Sequence, residues 1–239
     1  MKGRTVNHAI LRCVLAGTAL AAVAGLTACG GDSHSNYYPG VGTPPEAAQP
    51  KVTVEDPGSG AWTVSTGDAS QPAMGRYYAA SDGKRLLALE DDPAESVNRL
   101  LRRADASSKW AAIPVPTSDL AVSFLRTEAR TPSTPDATAL AGRYVVRLSD
   151  GSAADFLIGG DGRITAGSLP GCRLTGSLVA GSLPGTLGLN LNSSGCAGLP
   201  GTASGVLITD VQDAPASLRL LADDGSRTVD LRGYAEPAA

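Results

Sequence analysis

The sequence predicts a mainly β protein: an antiparallel meander closing into a small barrel or sandwich at the C-terminal end, preceded by a smaller β-rich region with one short helix. Three observations carry this. Short apolar runs of strand length recur through residues 140–236, divided by Asp-Gly and Leu-Pro-Gly turn signals. Tyr144, Val146 and Leu148, then Ala154, Phe156 and Ile158, fall at every second position, the period of a strand with one face buried. Finally, 29 Gly, 16 Pro and an aromatic content of 4% favour tight turns over long helices.

Residues 1–28 carry Lys2, Arg4 and Arg12 ahead of and within the approach to an uncharged apolar segment, 14–25, which small residues follow. Positive, apolar, small is the order of a secretory signal. The uncharged run stops at about fifteen residues, short of the roughly twenty that a membrane-crossing helix needs. It closes on Leu26-Thr27-Ala28-Cys29, which resembles the lipobox of bacterial lipoproteins: Leu, a small residue, Ala or Gly, then Cys. The resemblance implies diacylglycerol on the Cys29 thiol, cleavage before it and acylation of the new amino terminus. Two or three acyl chains anchor a protein stably, whereas one, at about 0.8 kcal/mol per buried methylene, holds it marginally. Gly30 in place of Asp resembles lipoproteins sent to an outer membrane. The implied location is the bacterial cell envelope, facing the periplasm or the surface, with membrane lipid as the first partner.

Loss of Lys2, Arg4 and Arg12 with the signal moves the formal charge from −3 to −6. An acidic chain keeping only Lys51, Lys84 and Lys109 as lysines repels phosphate backbones, whose binding depends on neutralisation by basic groups. Nucleic acid is not an expected partner. Residues 29–50 are polar, rich in Gly and Pro and without period, the composition of a flexible tether.

Residues 51–129 read as the smaller β-rich subdomain. Trp62 and Val64 mark a strand, and Asp82-Gly83 divides two strand-like runs in GRYYAASDGKRLLALE, a hairpin signature. In DDPAESVNRLLRRADAS, Asp92 suits an N-cap, Pro93 the first helical position and Glu95 a capping box. Val97, Leu100, Leu101 and Ala104 follow at helical spacing, so this stretch is the expected helix, with Arg99, Arg102 and Arg103 complementing its dipole. WAAIPVP and LAVSFL read as further strands, the first at a sheet edge because of its prolines. RTPSTPDATA, 130–139, is a Pro/Thr-rich linker.

Residues 140–236 hold eight runs: RYVVRLS, ADFLI, RITAG, CRLTGSLVA, TLGLNLN, SGVLITDV, ASLRLLAD and RTVDLRGY. Asp150-Gly151, Asp161-Gly162 and Asp224-Gly225 supply turns. Leu-Pro-Gly at 169–171, 183–185 and 199–201 suits type II turns, Pro presetting position i+1 and Gly taking the positive φ at i+2.

With Cys13 in the signal and Cys29 lipidated, Cys172 and Cys196 remain, and an even remainder in an oxidising compartment reads as a disulfide. Folding CRLTGSLVA back on TLGLNLN about residues 181–185 sets Leu174, Gly176 and Leu178 opposite Leu191, Leu189 and Leu187. Cys172 then faces Ser193, and a bend or bulge at Ser193-Ser194-Gly195 is expected to bring Cys196 back. The only histidines are His8 and His34, so residues 51–236 lack the commonest general base and metal ligand. No catalytic residue, cofactor or metal site is predicted. Glu90, Asp91, Asp92 and Glu95 cluster in sequence and read as a helix start and a solvated turn.

Gly142-Arg143-Tyr144, the stretch Asp161-Gly162-Arg163-Ile164-Thr165-Ala166-Gly167, Gly171-Cys172-Arg173-Leu174-Thr175-Gly176 and Gly195-Cys196 together resemble the small β-rich domain of uncharacterised proteobacterial envelope lipoproteins. The resemblance covers residues 142–234 and implies a β fold without an activity. A weaker resemblance is to META/HslJ-type domains, from which Arg173 departs where those carry Asn. The expectation is a non-catalytic structural or interaction module on the envelope, meeting a protein or cell-wall partner. The alternatives are a small barrel holding an apolar ligand and an envelope enzyme inhibitor.

Overall fold

The computed structural model describes residues 49–90 and 96–237. Among these, the first half forms β1 (Val52–Val54), β2 (Gly60–Asp68), β3 (Gln71–Ala79), β4 (Arg85–Glu90), β5 (Arg99–Arg103), β6 (Ala111–Ile113), β7 (Leu120–Val122) and β8 (Phe124–Arg130). The second half forms β9 (Gly142–Arg147), β10 (Ala153–Ile158), β11 (Arg163–Ala166), β12 (Arg173–Ala180), β13 (Thr186–Ser194), β14 (Thr202–Ile208), β15 (Leu218–Asp223) and β16 (Thr228–Ala235). A single 3₁₀ turn, Val211–Asp213, lies between β14 and β15.

The eight C-terminal runs become the eight strands of a closed antiparallel barrel in which each strand pairs with its chain neighbours, and β16 closes on β9 through Gly233↔Val146 and Tyr234↔Val145. Closure removes the sheet edges. Tyr144, Val146, Ala154, Phe156 and Ile158 all point into a core shared with Leu174, Leu189, Leu207, Leu220 and Leu231, as the alternation predicts. Tyr144 stacks on Phe156 with ring centroids 5.8 Å apart. Eight strands leave a bore about wide enough for side chains to fill, and here side chains fill it.

The β12–β13 hairpin differs from the expected register by two residues. Leu174 faces Ser193, Gly176 faces Leu191 and Ala180 faces Leu187, so the turn centres on Leu183-Pro184. The reason is Leu183, which is buried beneath the neighbouring sheet and lengthens the loop instead of extending the ladder. The slip carries the far end along: β13 continues straight through Ser193 and Ser194 with no bulge, and the expected bend falls at Gly195, φ 69°, from which Cys196 meets Cys172 in a disulfide. Gly171 and Gly185 take the positive φ that a type II turn requires, 93° and 67°. The third Leu-Pro-Gly does not. Its turn falls earlier, with Gly198 at φ 76° and the Leu199 N–H donating to the Cys196 carbonyl at 3.4 Å.

The first half folds as a six-stranded antiparallel sheet, β6-β5-β4-β3-β2-β8, with β6 at an edge as its prolines predict. Among the described residues the expected helix is absent: Arg99–Arg103 is β5, paired antiparallel with β4, and Asp92, Pro93 and Glu95 lie outside the described residues. Helical spacing misled because Leu100 and Leu101 are both buried. In a strand those adjacent side chains point to opposite faces, and this sheet is covered on both. Leu100 joins Tyr78, Ala80, Leu86, Ala88 and Ile113 against the barrel. Leu101 joins Tyr77, Leu87, Leu89 and Val64 on the other face, under Val52, Val54 and Leu120 of the parallel β1–β7 ribbon.

Candidate functional site

The densest chemistry in the described residues lies in the seam where the sheet covers the outer face of β14, β15 and β16. Strand alternation builds it. In β15, Leu218, Leu220 and Ala222 point into the barrel, so Arg219, Leu221 and Asp223 must point out. Outward from a barrel is normally toward water, yet every residue of β15 is buried because the sheet lies over it. Val206, Ile208 and Leu221 meet Tyr78, Ala88 and Leu100 there, and the charged residues beside them must find partners.

Arg219 is fully enclosed. Its Nε and Nη2 donate to the two carboxylate oxygens of Asp230 at 2.6 and 2.5 Å, and its Nη1 donates to Glu90 at 2.6 Å and to Asp213 at 3.4 Å. Asp213 takes a second guanidinium in bidentate fashion, from Arg76 at 2.5 and 2.7 Å. Asp210 accepts from Arg130 and lies 3.8 Å from Arg76. Asp230 also accepts the Val97 backbone N–H at 2.8 Å. Three guanidinium groups thus face four carboxylates, drawn from β3, β4 and β8 of the sheet and from the 3₁₀ turn, β15 and β16 of the barrel. Further along the seam, Arg102 pairs with Asp223 through bonds of 2.9 and 3.1 Å.

Burial alone would lower the Arg219 pKa; Asp230, Glu90 and Asp213 outweigh it and hold the group charged. At Asp210 burial pushes upward, and the Gln212 N–H, Arg130 and Arg76 overcome it to leave the carboxyl below its usual range. Burial raises the Tyr78 hydroxyl beside them. Both carboxylate oxygens of Asp213 and of Asp230 accept from guanidinium groups, so these two side chains are committed to ion pairing. What the arrangement does is fix one half of the molecule on the other in a single register. Beside it, a cleft of about 370 Å³ separates Lys84 and Arg102 of the sheet from Val179, Gly188 and Ser204 of the barrel.

The sequence-predicted residues fall elsewhere. Cys29 lies outside the described residues. Cys172 and Cys196 are bridged, tying the start of β12 to the end of β13 at one end of the barrel. Three glycines of the lipoprotein-like motif have steric reasons. Gly162 sits at φ 80° with a Cβ position 2.8 Å from the Leu178 carbonyl, Gly167 lies against the Asp155 carboxylate, and Gly176 lies against the Asn190 carbonyl. Asp155 explains the second of these: it accepts the Ser168 and Leu169 N–H groups at 2.9 and 2.8 Å and pairs with Arg143 at 3.1 Å, pinning the loop after β11. These motif positions shape the barrel.

Sequence reasoning missed the seam. Glu90, read as part of a solvated turn, is buried against Arg219. The available signal was ASLRLLAD itself, where an Arg interrupts an apolar run. The fold defines a class, a mainly β protein ending in a closed eight-stranded antiparallel barrel. Comparison with protein-family models, with curated proteins and with solved structures finds no match.

Proposed function

We propose that this chain is a lipid-anchored envelope lipoprotein of the kind its motifs resemble, acting without catalysis as a structural or interaction module held off the bilayer by residues 29–50. The observation that carries the reading is the lipobox-like Leu26-Thr27-Ala28-Cys29 placed directly after a charge-free apolar run. Two features support the rest. The barrel bore is occupied by its own side chains, which favours a scaffold over a carrier of an apolar ligand. The clustered carboxylates and guanidinium groups are spent on one another, which favours rigidity over proton transfer. A folded body joined to an anchor by a Gly/Pro-rich segment presents loops and a sheet edge to a partner at a distance from the membrane.

Cys29→Ser tests the anchor in intact cells. The expected result is a protein released from the membrane fraction or retained as an uncleaved precursor. Unchanged membrane fractionation and unchanged processing would refute it.

A further inference from the structure

We propose that the outer edge of β8 is a self-association surface, where a second copy of the chain adds its own β8 antiparallel and joins two six-stranded sheets across a two-fold axis. Among the described strands β8 pairs with β2 alone, and Leu125, Arg126, Thr127, Glu128 and Ala129 are all exposed. An edge of this kind carries unpaired N–H and C=O groups that a further strand satisfies. The other edge is closed to such use: β6 has three residues and runs into Pro114 and Pro116.

The side chains select the partner. A two-fold axis normal to the sheet keeps both pleats in phase only when a residue sits opposite its own copy. Centring on Arg126 or on Glu128 sets like charges face to face, which disfavours pairing. Centring on Ala129 would place Pro132 opposite Arg126 and draw Arg130 away from Asp210 of the barrel. Centring on Thr127 sets Arg126 opposite the copy's Glu128 and Glu128 opposite the copy's Arg126, with the two threonine hydroxyls meeting at the axis and Leu125 opposite Ala129. The segment Arg126-Thr127-Glu128 is therefore complementary to itself in one antiparallel register. The irregularity in the β2–β8 ladder lies at Leu125, before this segment, and the pairing is regular from Arg126 to Arg130. Charges on an edge strand ordinarily discourage association; here their spacing disfavours the registers centred on Arg126 and on Glu128 and favours the one centred on Thr127. The surface does not depend on the anchor.

Thr127→Cys in the full chain, oxidised in intact cells, tests this. The expected product is a dimer on a non-reducing gel that reductant reverses, with no dimer from the parent chain and much less from Leu125→Cys, which faces Ala129 rather than itself. In the Thr127→Cys background, Arg126→Glu and Glu128→Arg should each reduce dimer yield on the order of five-fold by placing like charges opposite each other. The double reversal should restore it. Because these side chains are exposed, circular dichroism should show all variants folded. Absence of the dimer, a yield indifferent to the reversals, or crosslinking of Thr127→Cys to a different protein in its place would each overturn the proposal.

Discussion

The barrel carries its core inside itself, whereas the six-stranded sheet has a core only where something else covers it. Leu174, Phe156, Leu207 and Leu220 are enclosed by the barrel's own strands. Leu86, Ala88 and Leu100 are enclosed because β14 and β15 lie beneath them, and Leu87, Leu89 and Leu101 because the β1–β7 ribbon lies above. The barrel has no edge and is stapled by Cys172–Cys196; the sheet keeps one long edge, β8, open. A closed sheet is stable by topology, an open one by what it is pressed against. The ion cluster around Arg219 stands where that dependence is greatest.

The largest effect should come from breaking the seam. Arg219→Met leaves Glu90, Asp213 and Asp230 buried without their shared guanidinium, and removal of one partner from a buried ion cluster costs about 3–5 kcal/mol. Urea unfolding of the full chain should show a correspondingly lower midpoint, and an unchanged midpoint would mean that the cluster contributes little. The barrel staple comes next. Cys172→Ser with Cys196→Ser opens a loop with a sequence separation of 24 and should cost roughly 3 kcal/mol in the chain-entropy model. Reductant should lower the parent chain's midpoint and leave the double variant unaffected.

Acid should act on both halves, more gently. Asp155 in the barrel and Asp210 in the seam each have a pKa lowered on folding. Burial opposes the shift in both, but is outweighed at Asp155 by the Leu169 and Ser168 N–H groups and at Asp210 by the Gln212 N–H and Arg130. A depressed carboxyl pKa contributes stability that is fully present above the unfolded value, about 3.9, and is lost as pH falls through the folded one. The melting temperature should therefore hold between about pH 6 and 8, where residues 51–236 have no histidine to titrate, and fall below about pH 4. A melting temperature as high at about pH 3 as at neutrality would contradict these assignments.

Much of the barrel was legible because its strands obey one rule at a time. Tyr144, Val146 and Leu148 face a core and their neighbours face outward, so the period of two is plain, and Asp150-Gly151 or Asp224-Gly225 marks each reversal. Legibility failed where two partners shared a strand. RLLALE and NRLLRR lose the alternation because both faces are covered, and the second then mimics a helix. The β12–β13 register failed for a related reason: Leu183 belongs to the seam, and only knowledge of the covering sheet says why a turn residue should be buried. The disulfide was legible from cysteine arithmetic, since it needs only two remaining thiols near each other. Arg219, Asp213 and Asp230 were not, because a charged residue on an outward strand position reads as solvated until another layer is known to lie over it.

The dependence of the sheet on the barrel, with Arg219 at the joint, is tested most directly by hydrogen exchange read by mass spectrometry on the full chain and on Arg219→Met. The expected result is faster exchange across β3, β4 and β5 in the variant while β10 to β13 keep their protection. A uniform loss of protection across both halves, or slow exchange retained in β3 to β5, would contradict it.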